Sequence, residues 1–425
     1  MNDTLTINDS IGRDTTLRRS GLYERLILDV FAKMQQGYLR LDLPDGSSRH
    51  FGTLGHEVSA HLRVIRPAFF QRCVLFGDVG FGESYVDGDW ETDSIERVIS
   101  WAVLNVENTP AMSGSTRHVA ALNLLKVYNR IRHLLRPNSI HTARQNIAEH
   151  YDLGNDFYRL WLDPTMTYSA AKYSSESQSL EEAQAAKYDA LCQRLRLKPT
   201  DHLLEIGSGW GGMAEHAVRN YGCRVTTVTI SQKQYEYARE RFQRAGISDR
   251  IDLRMQDYRE ITGQFDKVVS IEMMEAIGDR YLETYFAKID EVTKPDALVA
   301  LQYITVPDSR HSALRRGIDF IQKHIFPGSL LLSVGRVNQA LHRTGEFSLF
   351  ELEDLGLDYA RTLRSWFTAF NARLEEVRAQ GFSERFVRKW NYYLQYCESA
   401  FAMRNISVVH ALYSRPNNPR LRVRA

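Results

Sequence analysis

The run Leu203-Leu204-Glu205-Ile206-Gly207-Ser208-Gly209-Trp210-Gly211-Gly212 constrains this chain more than any other stretch. Leucines end a buried strand, an acid closes it, and a glycine-rich turn leads into a helix beginning near Met213. Glycines let a turn backbone approach a ligand closely, where a β-carbon would stand in the way. A pocket at the carboxyl end of the first strand of an α/β sheet is where nucleotide-like cofactors bind.

The surroundings of the turn support that sheet. Helical periodicity over 181–195 and 234–245 alternates with strand-like runs over 203–206, 225–228, 251–255, 267–271 and 298–304. Strands separated by helices predict an α/β fold with a parallel, doubly wound sheet. A smaller α/β segment precedes it. There a helix is predicted over 22–34, strands over 37–43 and 59–64, and turns over 81–90.

By spacing alone, Gly207, Gly209 and Gly212 fit the dinucleotide fingerprint, and a lone match of that kind is weak. The nicotinamide reading needs an acid after the second strand to hold ribose hydroxyls. That strand runs Val225-Thr226-Thr227-Val228-Thr229-Ile230-Ser231-Gln232, without an acid. Acids stand instead at Glu205, before the turn, and at Asp257, in Met255-Gln256-Asp257-Tyr258 after the third strand. They suit a ligand with an ammonium group at one end and an adenine amine at the other. S-adenosylmethionine is such a ligand, and its sulfonium favours aromatic faces.

Composition narrows the setting. At 425 residues the chain has room for two domains. A net charge of +2 gives no global argument for nucleic acid. Cys73, Cys192, Cys223 and Cys397 lie far apart, with neither metal-ligand spacing nor a disulfide framework. The N-terminus lacks a signal-peptide pattern, and no window approaches a membrane span, so a soluble, cytoplasmic protein is expected. Local charge is more telling. From Asn108 to Ala148 there is no acid, while Arg117, Lys126, Arg130, Arg132, Arg136 and Arg144 supply positive charge. Within it, 118–135 reads as an amphipathic helix: an interdomain helix with a solvated basic face, or a patch that meets anionic lipid headgroups. Arg415, Arg420, Arg422 and Arg424 make the tail basic, either disordered or touching the same anionic surface.

The segment Gln145-Asn146-Ile147-Ala148-Glu149-His150-Tyr151-Asp152-Leu153-Gly154-Asn155-Asp156-Phe157-Tyr158, then Leu162-Asp163-Pro164-Thr165-Met166-Thr167-Tyr168-Ser169, closely resembles the cyclopropane-fatty-acyl-phospholipid synthase family. So do the glycine turn, Val228-Thr229-Ile230-Ser231 with Gln234, Gln256-Asp257-Tyr258-Arg259, and Ile325-Phe326-Pro327-Gly328. Asp358-Tyr359 with Thr362-Leu363 and Trp366 fits as well, as does Tyr392-Tyr393-Leu394. The likeness runs in order from about Phe81 to the C-terminus, and an ordered set is far more specific than any one motif.

The resemblance implies a Rossmann-like class I methyltransferase domain (141–414) behind a smaller N-terminal α/β domain (21–114) used in lipid engagement and assembly. A flexible N-terminus (1–20), a basic linker helix (115–140) and a basic tail (415–425) complete the division. It further implies a homodimer at the inner face of the cell membrane. There a methyl from S-adenosylmethionine goes to the double bond of an unsaturated phospholipid acyl chain, and a proton is removed to close a three-membered ring. Tyr168, Ser169, Gly207, Gly209, Thr229, Ile230, Gln234, Gln256 and Asp257 would hold the cofactor, joined by Glu205 and Gly211 of the turn. Tyr168, Tyr359 and Trp366 are placed to face the developing cation. The family's base is bicarbonate, held by a Cys, a Glu, a His, a Tyr and a backbone group beside an Ile.

Glu275, Tyr359 and Ile304 match that bicarbonate pattern. The cysteine is replaced by Ala170, and the strand that would carry the histidine reads Leu301-Gln302-Tyr303-Ile304. Ser270-Ile271-Glu272-Met273-Met274-Glu275-Ala276 has Glu272 where many relatives have glycine and Ala276 where many have histidine. A helical 270–276 would put Glu272 and Glu275 on one face. Two outcomes follow. Gln302 replaces the lost hydrogen bonds, bicarbonate binds and a ring forms; or a carboxylate serves as base and the product is a methyl-branched or methylated unsaturated chain. A methyltransferase for a soluble small molecule and an inactive lipid-binding protein are more remote alternatives.

Overall fold

A computed structural model describes residues 21–106, 153–315 and 317–421. The basic helix expected over 118–135, and with it His150, Tyr151, Arg422 and Arg424, lies outside the described residues.

The first segment is a small α/β layer. Helix α1 (Leu22–Phe31) leads to β1 (Tyr38–Asp42), β2 (Ser48–Gly52) and β3 (Ser59–Val64), followed by α2 (Ala68–Val86), β4 (Trp90–Glu91) and α3 (Ile95–Leu104). The sheet order is β2-β1-β3-β4, with β1 and β3 parallel. Strand alternation gives it one buried face: Leu39, Leu41, Ala60, Leu62 and Val64 point inward, Arg40 and Arg63 outward. Of the expected turns over 81–90 only that around Gly88, at φ 77°, is found; 81–86 is the end of α2. Its glycine serves close packing, since a β-carbon on Gly82 would stand 2.4 Å from the Phe320 ring. Composition cannot distinguish a turn glycine from one that lets two elements touch.

The larger unit begins with α4 (Asn155–Arg159) and α5 (Leu180–Arg194), then β5 (His202–Ile206), α6 (Gly212–Tyr221), β6 (Arg224–Thr229), α7 (Gln232–Ala245) and β7 (Ile251–Met255). Next come β8 (Phe265–Ile271), α8 (Leu282–Glu291), β9 (Thr293–Thr305), α9 (Asp308–Leu314), α10 (Phe320–His324) and α11 (Val334–Thr344). The described chain closes with β10 (Ser348–Asp354), α12 (Gly356–Ala372), α13 (Leu374–Ala379), α14 (Glu384–Ala402) and β11 (Ser407–Ser414). The seven strands lie in the order β10-β11-β9-β8-β5-β6-β7. Strands β5 to β9 pair in parallel, and β11 lies antiparallel between β9 and β10. Both faces are covered, so Leu203, Leu204, Val268, Val269 and 298–301 are buried without alternation. The strand order reverses between β5 and β8, and the crevice beyond their carboxyl ends is where such a sheet takes its ligand.

The two units share one apolar core. Trp101 of α3 belongs to the same buried cluster as Trp161, Trp366 and Trp390. Ser100 Oγ lies 2.9 Å from Ser399 Oγ, and Arg388 donates to the Tyr85 carbonyl at 2.8 and 2.6 Å. Part of the tail is docked too. Arg415 pairs with Asp290 at 2.6 Å, and Arg420 with Asp296 at 2.6 Å and Asp201 at 3.2 Å. These two arginines are held by acids of their own chain, contrary to the expectation of a disordered or surface-seeking tail. Among the described residues no helix is long and apolar enough to cross a membrane.

Candidate functional site

A cavity of about 900 Å³ opens at the switch point. Its polar end is the glycine turn. Gly207 and Gly209 have φ of 97° and 49°, the left-handed region that favours glycine. A β-carbon on Gly209 would project into open space, so a ligand can approach the backbone there. Gly211 does not line the cavity; its β-carbon position lies 2.8 Å from Phe242, which makes it a packing glycine. Glu205 is buried under the turn, where its carboxylate accepts from Thr227 Oγ1 at 2.6 Å. Burial pushes its pKa up to about 8.

The next strands add the other side. Thr229 Oγ1 donates to Gln234 at 3.1 Å and accepts from the Ser231 amide at 3.1 Å. Asp257 is clasped by Arg259 through Nε at 2.8 Å and Nη2 at 2.7 Å. The Gln256 Oε1 oxygen is buried without a partner among the described residues. With Ile230, these side chains line one wall. An open glycine cradle, a buried carboxylate and an orphaned amide oxygen in one crevice fit S-adenosylmethionine. Trp210 is fixed by Asn155 Oδ1 at 2.8 Å and packs on Tyr158, closing the turn from above.

Beyond the turn lies a carboxylate cluster. Strand β8 ends at Ile271, and Glu272 has a left-handed φ of 48°. The segment 270–276 is therefore not helical, and only a short 3-10 turn, Met274–Ala276, follows. The two carboxylates still meet in the cavity. Glu272 accepts from the Ala170 amide at 2.8 Å, from Gln302 Nε2 at 2.7 Å and from the Tyr359 hydroxyl at 2.9 Å. Its own amide donates to the Gln302 carbonyl at 2.7 Å, which holds the unusual backbone. Glu275 Oε1 accepts from the Ile304 amide at 2.5 Å, while its Oε2 is buried without a partner among the described residues.

Both acids are raised by burial. Glu275 reaches about 8, with Glu272 as the second cause. Glu272 is raised as well, but its three donors and the charge of Lys187 oppose the shift. The like charge of Glu272 favours a protonated Glu275, while the three donors favour the ionised form of Glu272. Gln302 does not line the cavity; it stands behind Glu272, fully buried, with its Oε1 2.8 Å from His410 Nε2.

An aromatic wall borders the cluster. Tyr168 faces the cavity and meets the Tyr393 hydroxyl at 2.8 Å. Trp366, expected to face a cation, is fully buried behind Tyr168 and Tyr359, at ring distances of 5.3 and 6.0 Å. Met273 lines the cavity and Met274 packs in the core. The rest of the lining is mainly apolar, with Ile99, Ala102, Val103 and Val106 at the end of α3 and Leu314 and Ile318, and it also includes Asp78, Arg310 and Asp319.

Two residues escaped the sequence reading. Lys187 of α5 is fully buried and donates to Ser169 Oγ at 2.7 Å. Burial brings its pKa down to about 7 against the pull of Glu272 and Asp163. His410 of β11 is likewise fully buried, and burial drives its pKa well down, so its ring is neutral. A lysine in a charged helix and a histidine in a distant strand carry no local signal.

The chain matches the model of the mycolic acid cyclopropane synthetase family over residues 138–411. It is 36% identical over 367 residues to the cyclopropane-fatty-acyl-phospholipid synthase of Escherichia coli (strain K12), covering 86% of this chain and 90% of that one. It is 35% identical over 359 residues to the tuberculostearic acid methyltransferase UfaA1 of Mycobacterium tuberculosis, covering 80% of each. Among solved structures, the cyclopropane synthase MmaA2 from Mycobacterium tuberculosis aligns with a TM-score of 0.60 at 30% identity, over 64% of this chain and 98% of that one. The glycine cradle, the buried carboxylates and these likenesses agree: the chain belongs to the mycolic acid cyclopropane synthetase family of S-adenosylmethionine-dependent methyltransferases.

Proposed function

We propose that this enzyme adds a one-carbon unit from S-adenosylmethionine across the double bond of an unsaturated phospholipid acyl chain and closes a cyclopropane ring. One observation carries the reading: a single cavity joins the glycine cradle, the buried carboxylate pair and a mainly apolar lining. A soluble polar substrate has no use for such a lining, and an inactive binder has none for the carboxylates. The acid-free stretch 108–148 supports contact with anionic headgroups at the inner membrane face. Assembly as a homodimer rests on the resemblance.

Glu205, Gly207, Gly209, Thr229, Ile230, Gln234, Gln256 and Asp257 would hold the cofactor, with Tyr168 and Ser169 at the reacting end. When bound, it supplies an electrophilic methyl group on a sulfonium. An alkene is a weak nucleophile, so the buried walls must exclude water and fix the acyl chain at attack distance. Tyr168 and Tyr359 then present aromatic faces to positive charge on that chain.

Trideuterated-methyl cofactor tests the product. A ring keeps two deuteriums, because closure removes one from the methyl; a methyl branch that loses its proton from the chain keeps three. We expect two. The 35% identity to a methyltransferase sustains the second reading, and retention of three deuteriums would establish it.

Glu205 gives a pH signature. With its pKa near 8, the carboxyl is protonated in the empty pocket at neutral pH and ionises when an ammonium arrives. Binding therefore releases a proton, and affinity rises as pH increases from 6 to 7.5, by up to about 20-fold. Calorimetry across that range should show the slope, and Glu205→Gln should flatten it.

A further inference from the structure

We propose that the Glu272 carboxylate is the built-in anion of this site and replaces bicarbonate as the base that closes the ring. The inference rests on the acyl-chain reading above. The Tyr359 hydroxyl, one of the groups the resemblance assigns to bicarbonate, already donates to Glu272. Gln302, standing where the histidine is expected, donates to it as well, and so does the backbone of Ala170, which stands in place of the cysteine. A second anion would have to displace this carboxylate or share its donors in a dry pocket, where like charges repel strongly. Bicarbonate does not fit these residues.

The three departures thus form one structural change. Alanine at 170 leaves only a methyl group beside the carboxylate. The left-handed backbone at Glu272 swings its side chain between Ala170, Gln302 and Tyr359. A histidine could present one ring donor there. The Gln302 amide bridges instead, donating both to Glu272 at 2.7 Å and to the Ala170 carbonyl at 3.1 Å. The neutral His410 ring satisfies the remaining amide oxygen. With the Ala170 amide and Gln302 both on Oε1, Oε2 carries only the Tyr359 hydroxyl and is the oxygen turned to the reacting chain.

The step balances without a co-reactant. Once the methyl is on the acyl chain, a C–H bond of that methyl breaks. Its electron pair forms the new C–C bond at the cationic carbon, and the proton passes to Glu272 Oε2. Lys187 donates to Ser169 beside the cluster, and the Ala170, Gln302 and Tyr359 donors favour the ionised form of Glu272 between turnovers.

The test compares the full chain and its Glu272→Gln and Glu272→Gly variants in CO2-stripped buffer, with and without added bicarbonate. Product is read by gas chromatography of the released acyl esters, which separates ring from methylated alkene, and cofactor binding by calorimetry. We expect wild-type turnover to be the same in both buffers. Both variants should bind cofactor and lose turnover by about 10²–10³-fold, as loss of a general base does. Added bicarbonate should restore part of the loss in Glu272→Gly alone, where the space is empty. Wild-type turnover that collapses without CO2 and returns with bicarbonate would overturn the proposal, as would full turnover in Glu272→Gln. Methylated lipid without a ring from wild type in both buffers would overturn the inference alone, and absence of any modified lipid would overturn the acyl-chain reading and this inference with it.

Discussion

Gly209→Val should leave a folded protein that has lost cofactor affinity by about two orders of magnitude. The β-carbon at this position meets nothing within 4 Å, so the protein itself accommodates the side chain. The backbone cost of a β-branched residue at φ 49° is about 1–2 kcal/mol, which a protein of this size tolerates. The space the valine takes is the space the ligand needs. Gly211→Val, two residues on, should behave in the opposite way. Its side chain would start 2.8 Å from the Phe242 ring inside the fold, so unfolding temperature drops first and binding fails as a consequence. Calorimetric titration alongside thermal unfolding separates the two. Equal loss of stability in both variants would remove the distinction between a ligand-facing and a packing glycine.

Tyr359→Phe should lower kcat by about 10²-fold while cofactor affinity and KM stay near wild type. Phenylalanine preserves the ring contacts with Trp366 and Phe401 and removes only the hydroxyl that donates to Glu272 Oε2. The hydroxyl fixes the orientation of Oε2 and favours its ionised form, and a misplaced or protonated base costs about 10²-fold in rate. Gln302→Leu strips the same carboxylate of its amide donor and exposes it to the same loss. Because both act through one group, the double variant should fall little below the worse single one. Rate losses that simply multiply would show that Tyr359 and Gln302 serve different steps.

Much of the parallel sheet was legible because buried strands leave unbroken apolar runs. The expected strand over 251–255 coincides with β7, and that over 203–206 falls inside β5. The glycine turn was equally plain, since few sequences place so many glycines between a leucine run and a helix. Legibility failed where a residue's role depends on something distant. Gly82 reads as a turn until Phe320 is seen against it. Gly211 reads as a cofactor glycine until Phe242 appears. Glu272 was visible as a departure, but its partners Ala170, Gln302 and Tyr359 come from three separate parts of the chain. His410 reaches Gln302 across 108 residues of sequence, and no local pattern spans that distance.

The shared core of the two units has a consequence for synthesis. Helix α3 is completed near residue 104, yet α14, against which it packs, is complete only near residue 402. Ser100 must wait for Ser399, 299 residues later. At a ribosomal rate of about 5–20 residues per second, the α3 face that carries Ser100 stays without its partner for about 15–60 s. Through that interval the nascent N-terminal layer carries an uncovered helix face, a surface that a holding chaperone would shield until the last helix leaves the exit tunnel.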